Sequence, residues 1–205
     1  MSAAHRIRLT GRLLRTLDTL AWMPTVPTRE DLEAARRRSV PDVLAPGLGL
    51  VFVGINPGLY SAAVGHHFAR PGNRFWKALH LAGITDRVWA PSEDGDLPSI
   101  GIGITNIVAR PTATASELSA AELREGRRAL GTKIRRLRPD AVAILGVTAY
   151  RTGFEHPKAS FGLQDESFDG APLWVLPNPS GLNAHHQLPD LAEAFATLRT
   201  ALRLR

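Results

Sequence analysis

The chain has 205 residues, 44% of them hydrophobic, with a formal net charge of +6 and no cysteine. That length fits one domain of ordinary size, and the apolar content is enough to bury a core, which sets aside a disordered chain. The missing cysteines exclude disulfides, thiolate catalysis, Cys-ligated zinc and Cys-held iron–sulfur clusters. The positive balance suits a polyanionic partner, nucleic acid above all, and equally suits a well-solvated surface.

Residues 1–41 read as a basic N-terminal extension ahead of a domain spanning 42–205. The apolar residues of the first twenty are scattered among Arg6, Arg8, Arg12 and Arg15, which is not the pattern of a signal peptide. No stretch approaches the ~18–20 apolar residues of a membrane span. The expected location is the cytoplasm, on the nucleoid if the source is bacterial. Thr28-Arg29-Glu30-Asp31 opens a helix, with Thr28 as cap and Asp31 three residues on. The extension is either loosely attached or an ordinary helical flank.

From Asp42 strands and helices alternate. Leu48–Ile55 reads as a strand, and its apolar run Leu50-Val51-Phe52-Val53 predicts burial on both faces. Asn73–Ala82 follows as a helix, Gly103–Val108 as a strand and Ser119–Leu137 as a long helix. Ala141–Leu145 and Leu173–Leu176 are further strands, and Leu191–Leu204 is a closing helix. This order predicts an α/β three-layer sandwich with a central, mostly parallel sheet. In such sheets ligands bind beyond the carboxyl ends of the strands. The search therefore falls on Gly54–Gly58, Ala109–Thr112, Gly146–Tyr150 and Pro177–Asn183.

Four segments carry candidate chemistry. Gly54-Ile55-Asn56-Pro57-Gly58 is a tight turn that brings backbone close to a ligand and presents Asn56, or else a plain β-to-α turn. In the segment His66-His67-Phe68-Ala69-Arg70, Phe68 can stack on a base or belong to the core. Adjacent His66 and His67 have no acidic residue in ligand spacing, so no metal is expected. In Asn178-Pro179-Ser180-Gly181-Leu182-Asn183, the lone apolar Leu182 suits a wedge between base pairs, or folds back on the core. The acidic run Glu93-Asp94-Gly95-Asp96 should lie off any phosphate track, although Asp94 is a distant candidate for a catalytic base. Arg74 and the six cations of Ser119–Leu137 either follow phosphate or form a solvated face.

Three of these segments, Gly54–Gly58, Phe68–Trp76 and Asn178–Asn183, closely resemble the mismatch-specific uracil-DNA glycosylases, bacterial relatives of thymine-DNA glycosylase. Arg110-Pro111-Thr112 and Ala143–Gly146 fit the same pattern, and the resemblance covers Asp42–Arg205 in order and spacing. It implies a monomer without metal or cofactor, acting on double-stranded DNA that contains G·U mispairs and leaving an abasic site. Asn56 would hold the attacking water. Gly54 and Ile55 would line the base pocket, Phe68 would stack on the base, Ser61 would meet the pocket or sugar-phosphate, and Asn178 would support the site from the opposite loop. Gly181, Leu182 and Asn183 would enter the duplex and read the widowed guanine. The chain departs from the family pattern at Tyr60, Asn106, Ala184 and His185.

A base inside the stack must be flipped out before it can be cut, at a cost of a few kcal/mol that is lower for a mispair. Asn56 cannot accept a proton at neutral pH, so it would only orient water. Two rival readings remain: a non-catalytic DNA- or nucleotide-binding module on the same fold, and a hydrolase using Ser180. The first lacks a Gly-x-Gly-x-x-Gly or P-loop signature, and the second lacks the Gly-x-Ser-x-Gly elbow.

Overall fold

A computed structural model describes residues 26–204. Any structure in the basic residues 1–25 lies outside the described part of the chain. The first element is helix α1 (Arg29–Ala34), capped by Thr28 in a reciprocal box with Asp31. The described part of this segment, residues 28–40, packs on the domain. Ala35 and Val40 are buried against Ala62, and Arg36 pairs with Glu117 at 3.3 Å.

Five strands form one sheet in the order β2-β1-β3-β5-β4: β1 (Leu50–Gly54), β2 (Ile102–Asn106), β3 (Val142–Leu145), β4 (Gly162–Phe168) and β5 (Ala171–Leu176). The first three and β5 are mutually parallel, and β4 alone runs antiparallel at the edge. The strands β1, β2 and β3 are buried on both faces, as the apolar run of β1 requires. Leu50 and Phe52 join one core, with Phe75, Leu79 and Phe195 from helices α3 (Phe75–Leu81) and α6 (Leu188–Leu202). Val51 and Val53 join the other, with Leu123, Leu130, Ile134 and Tyr150 from α4 (Ala120–Leu137) and α5 (Val147–Gly153). One-residue alternation along each strand thus feeds two layers of helix, giving the expected three-layer sandwich.

The parallel strands point their carboxyl ends the same way. The short helix α2 (Leu59–Val64) follows β1 at that end. Helix α4 returns from that end toward the start of β3, so it runs away from the loops that build the site. Its cations are accordingly taken up elsewhere. Arg127 lies over Phe154 and Phe168, Arg128 pairs with Glu125, Lys133 with Asp42 at 2.6 Å, and Arg135 with Asp169. Four of the six cations of this helix thus have partners within the protein.

Candidate active site

The loops after β1, β2 and β5 and the segment from His66 to Asn73 enclose one cavity. The loop Gly54–Gly58 is pinned to the loop after β2 by backbone bonds. Ile107 N–H donates to Gly54 O at 2.9 Å, Val108 N–H to Ile55 O at 3.0 Å, and Thr112 N–H to Pro57 O at 3.1 Å. Asn56 sits between them. Its Nδ2 donates to the Arg110 carbonyl at 2.8 Å and to Thr112 Oγ1 at 2.7 Å. The Thr112 hydroxyl spends its own proton on the Thr114 carbonyl, so it can only accept from Asn56. A carbonyl is likewise only an acceptor, which fixes the orientation of the amide. Asn56 Oδ1 has no protein partner among the described residues, and Asn56 lines the cavity. Arg110 is itself held by Glu122 at 2.7 Å, and this contact, first among several, draws the Glu122 carboxyl down to about 2.

Phe68 borders the cavity in the left-handed region, with φ of 53°. For a bulky side chain that conformation costs on the order of 1–3 kcal/mol and persists only where neighbours enforce it. Both flanking residues are tied down. His67 N–H donates to Asp94 Oδ2 at 2.9 Å, and Ala69 N–H donates to Ser61 Oγ at 3.0 Å. The Phe68 ring stacks on Phe75 with centroids 4.1 Å apart. Ser61, buried on α2, therefore meets the loop backbone as well as the cavity.

Asp94 is placed differently from the role considered for it. It is buried in a 3₁₀ segment, Pro91–Ile100, and is not among the cavity-lining residues. Its second oxygen meets His66 Nδ1 at 3.0 Å. With one oxygen on the His67 N–H and the other on His66, Asp94 fastens the loop that carries Phe68. The adjacent histidines diverge: His67 Nε2 donates to the Pro41 carbonyl at 2.9 Å, and burial pushes the His67 pKa below its usual value. His67 is therefore neutral at pH 7 and lines the cavity.

Sequence reasoning passed over Asn106, noting it only as a departure. It ends β2, is 9% exposed, lines the cavity, and its amide makes no protein hydrogen bond among the described residues. Its amide faces the cavity, where a ligand can supply its hydrogen-bond partners. Gly54 makes room for it, because a Cβ there would collide with Asn106 Oδ1 and meet the Phe68 ring at 3.4 Å. The signal available in the sequence was an Asn ending a buried strand beside a glycine loop.

Asn178 folds its own loop: its Oδ1 accepts from Ser180 N–H at 2.9 Å and its carbonyl from Asn183 Nδ2 at 3.0 Å. Gly181 packs against Gly72, where a Cβ would come within 2.7 Å of the Gly72 carbonyl. Leu182 stands at the tip, 60% exposed, and does not fold back on the core. Ser180 Oγ accepts from Leu182 N–H at 3.3 Å and bonds no histidine among the described residues, so the serine-hydrolase alternative has no triad. Arg74, considered for a phosphate contact, directs its guanidinium at backbone carbonyls of Pro179, Ser180, Asn183 and His186.

The fold is similar to the solution NMR structure of a candidate uracil DNA glycosylase from Methanosarcina acetivorans, with a TM-score of 0.57 and 20% identity over 82% of this chain and 98% of that one. The family model of the uracil DNA glycosylase superfamily matches residues 41–202. That span holds the glycine loop, the Phe68 segment and the Leu182 loop, and the chain belongs to the uracil DNA glycosylase superfamily.

Proposed function

We propose that the protein is a mismatch-specific DNA glycosylase that flips uracil from G·U pairs and hydrolyses its N-glycosidic bond. The observation that carries this reading is the fixed amide of Asn56. With Nδ2 consumed by Arg110 O and Thr112 Oγ1, only Oδ1 is left to accept a hydrogen bond from a water at the cavity. The water's second hydrogen bond and its lone pair are then free, the lone pair aimed at the sugar carbon.

Bond breaking leaves positive charge on the sugar and negative charge on uracil, the same oxocarbenium logic as glycoside hydrolysis. Donors aimed at the departing ring lower the barrier as an oxyanion hole does. The Phe68 N–H has no protein acceptor among the described residues, and the Asn106 amide offers a donor and an acceptor to the edge of the base. Phe68 supports the ring by stacking. Leu182 fills the gap left in the duplex, and Gly181 and Asn183 meet the widowed base. The proton of the attacking water leaves to solvent, because Asn56 cannot take it. The substrate is double-stranded DNA, and the protein acts as a monomer in the cytoplasm.

The test is single-turnover release of uracil from a duplex with one G·U pair, with A·U and G·T duplexes alongside. Asn56→Ala should slow release by about 10²-fold or more, the range for losing one group that positions a reactant. Release by the wild type that is unchanged in Asn56→Ala would remove Asn56 from the mechanism. No release from any duplex, with tight DNA binding retained, would favour the non-catalytic module.

A further inference from the structure

We propose that Arg74 is a positioning residue whose guanidinium presets the Leu182 loop for entry into the duplex; this rests on the glycosylase reading above. Arg74 precedes α3 and is part-buried. Its Nη2 donates to Ser180 O at 2.5 Å and Asn183 O at 2.9 Å, its Nη1 to His186 O at 2.5 Å, and its Nε lies 3.4 Å from Pro179 O. Its backbone N–H adds a bond to Pro179 O at 3.0 Å. No carboxylate pairs with it among the described residues.

The geometry defines the role. Pro179 and Ser180 precede Leu182, and Asn183 and His186 follow it. One rigid cation therefore gathers both arms of the loop and leaves the wedge at the apex. Four carbonyls facing one point would repel each other without the charge between them. Only arginine offers five donors in a planar fork, whereas lysine has three on one atom and cannot span the four acceptors. Ordering a loop before binding removes that entropy from the binding step. The energy of opening a base pair is thus met by a wedge that is already built.

The consequence is selective. Loss of the clamp should harm reactions in which a pair must be opened and spare those in which it need not be. The experiment compares wild type, Arg74→Lys and Arg74→Gln in two measurements. The first is single-turnover uracil release from a G·U duplex and from a duplex with uracil opposite an abasic analogue. The second is amide hydrogen exchange of the free protein. Arg74→Lys should slow the G·U reaction by about tenfold or more, since small misplacements are costly, while uracil opposite the abasic analogue is released near the wild-type rate. Amides of residues 180–186 should exchange faster while those of β1, β3 and β5 keep their protection. Arg74→Gln, which keeps two donors and no charge, should show the same selectivity and covers the case in which the lysine disturbs the fold. Equal slowing on both substrates, or unchanged exchange in the loop, would overturn the proposal. If the wild type releases no uracil at all, the glycosylase reading falls, while the exchange measurement still decides the clamp.

Discussion

At the scale of single residues, the site works through side chains whose partners leave them one free function. Asn56 is the clearest case, and it makes Asn56→Asp informative. The variant would set a carboxylate oxygen against the Arg110 carbonyl, where Nδ2 donates at 2.8 Å. The lost donor and the facing lone pairs should cost about 1–3 kcal/mol at neutral pH and raise the new carboxyl's pKa in the folded state. A raised acid stabilises the fold as the pH drops through that value, so the stability deficit relative to wild type should shrink on acidification, read by urea unfolding at several pH values. The rate of uracil release by the variant should rise with pH over the same range, because only the ionised form can act as a base. His67 gives the opposite slope. Burial lowers its folded pKa, so the unfolded chain binds a proton that the native state refuses. Its stabilisation is fully present above about pH 6.5 and is lost as the pH falls below it, by at most ~1.4 kcal/mol per pH unit. In His67→Gln, whose amide can still donate to Pro41 O, the melting temperature should fall less between pH 6.5 and pH 5.

At the scale of elements, close backbone approach sets the frame. Gly126 on α4 faces the Ile107 carbonyl so tightly that an added Cβ would overlap it. Gly126→Ala should gain helix propensity of about 1 kcal/mol yet lose more by overpacking, typically ~1–3 kcal/mol. It should also shift the loop that holds Asn56, so chemical denaturation and uracil release should fall together. Neither the tightness of this contact nor its neighbour can be read from the sequence. What could be read was periodicity: the apolar runs of β1, β3 and β5 and the capped, amphipathic α4 lie within a few residues of expectation. The edge strand β4 was missed because Gln164-Asp165-Glu166-Ser167 has no apolar alternation, its exposed residues needing only backbone pairing with β5. The overlooked signal was Asp169-Gly170, both at positive φ, the mark of a two-residue hairpin turn. The short helices α2 and α5 were absorbed into loops, and residues 91–100 coil into 3₁₀ turns that a propensity scan reads as an acidic loop. Asn56 and Leu182 stand out in the sequence because glycine and proline surround them, and Phe68 because it is a lone aromatic in a His- and Arg-rich loop. Thr112 and the clamp of Arg74 do not, since each depends on partners far off in sequence.

At the scale of the molecule, the charge is divided between fold and function, and the division has a measurable consequence. The net charge of +6 invites the view that the whole surface attracts DNA. Yet α4 carries its late cations, Arg135 and Arg136, to the end of the sheet opposite the cavity, and Arg135 is paired with Asp169 there. A duplex seated at the Leu182 loop cannot also lie along that end of the helix. Phosphate contacts should come instead from cations at the cavity mouth. Arg70 is exposed there and forms no ion pair among the described residues, and Arg151 lines the groove on the other side of the Leu182 loop. Each neutralised phosphate contributes a slope of about −0.9 to the logarithm of affinity against the logarithm of salt concentration. Arg70→Ala should therefore flatten the salt dependence by about one such step, while the double change Arg135→Ala and Arg136→Ala leaves the slope unaltered, although net charge falls by more. Fluorescence anisotropy of a labelled G·U duplex across a salt series reads both. A slope that follows total charge and not position would mean that the duplex is held by the overall field of the protein, and that the segregation seen in α4 has no bearing on how DNA is gripped.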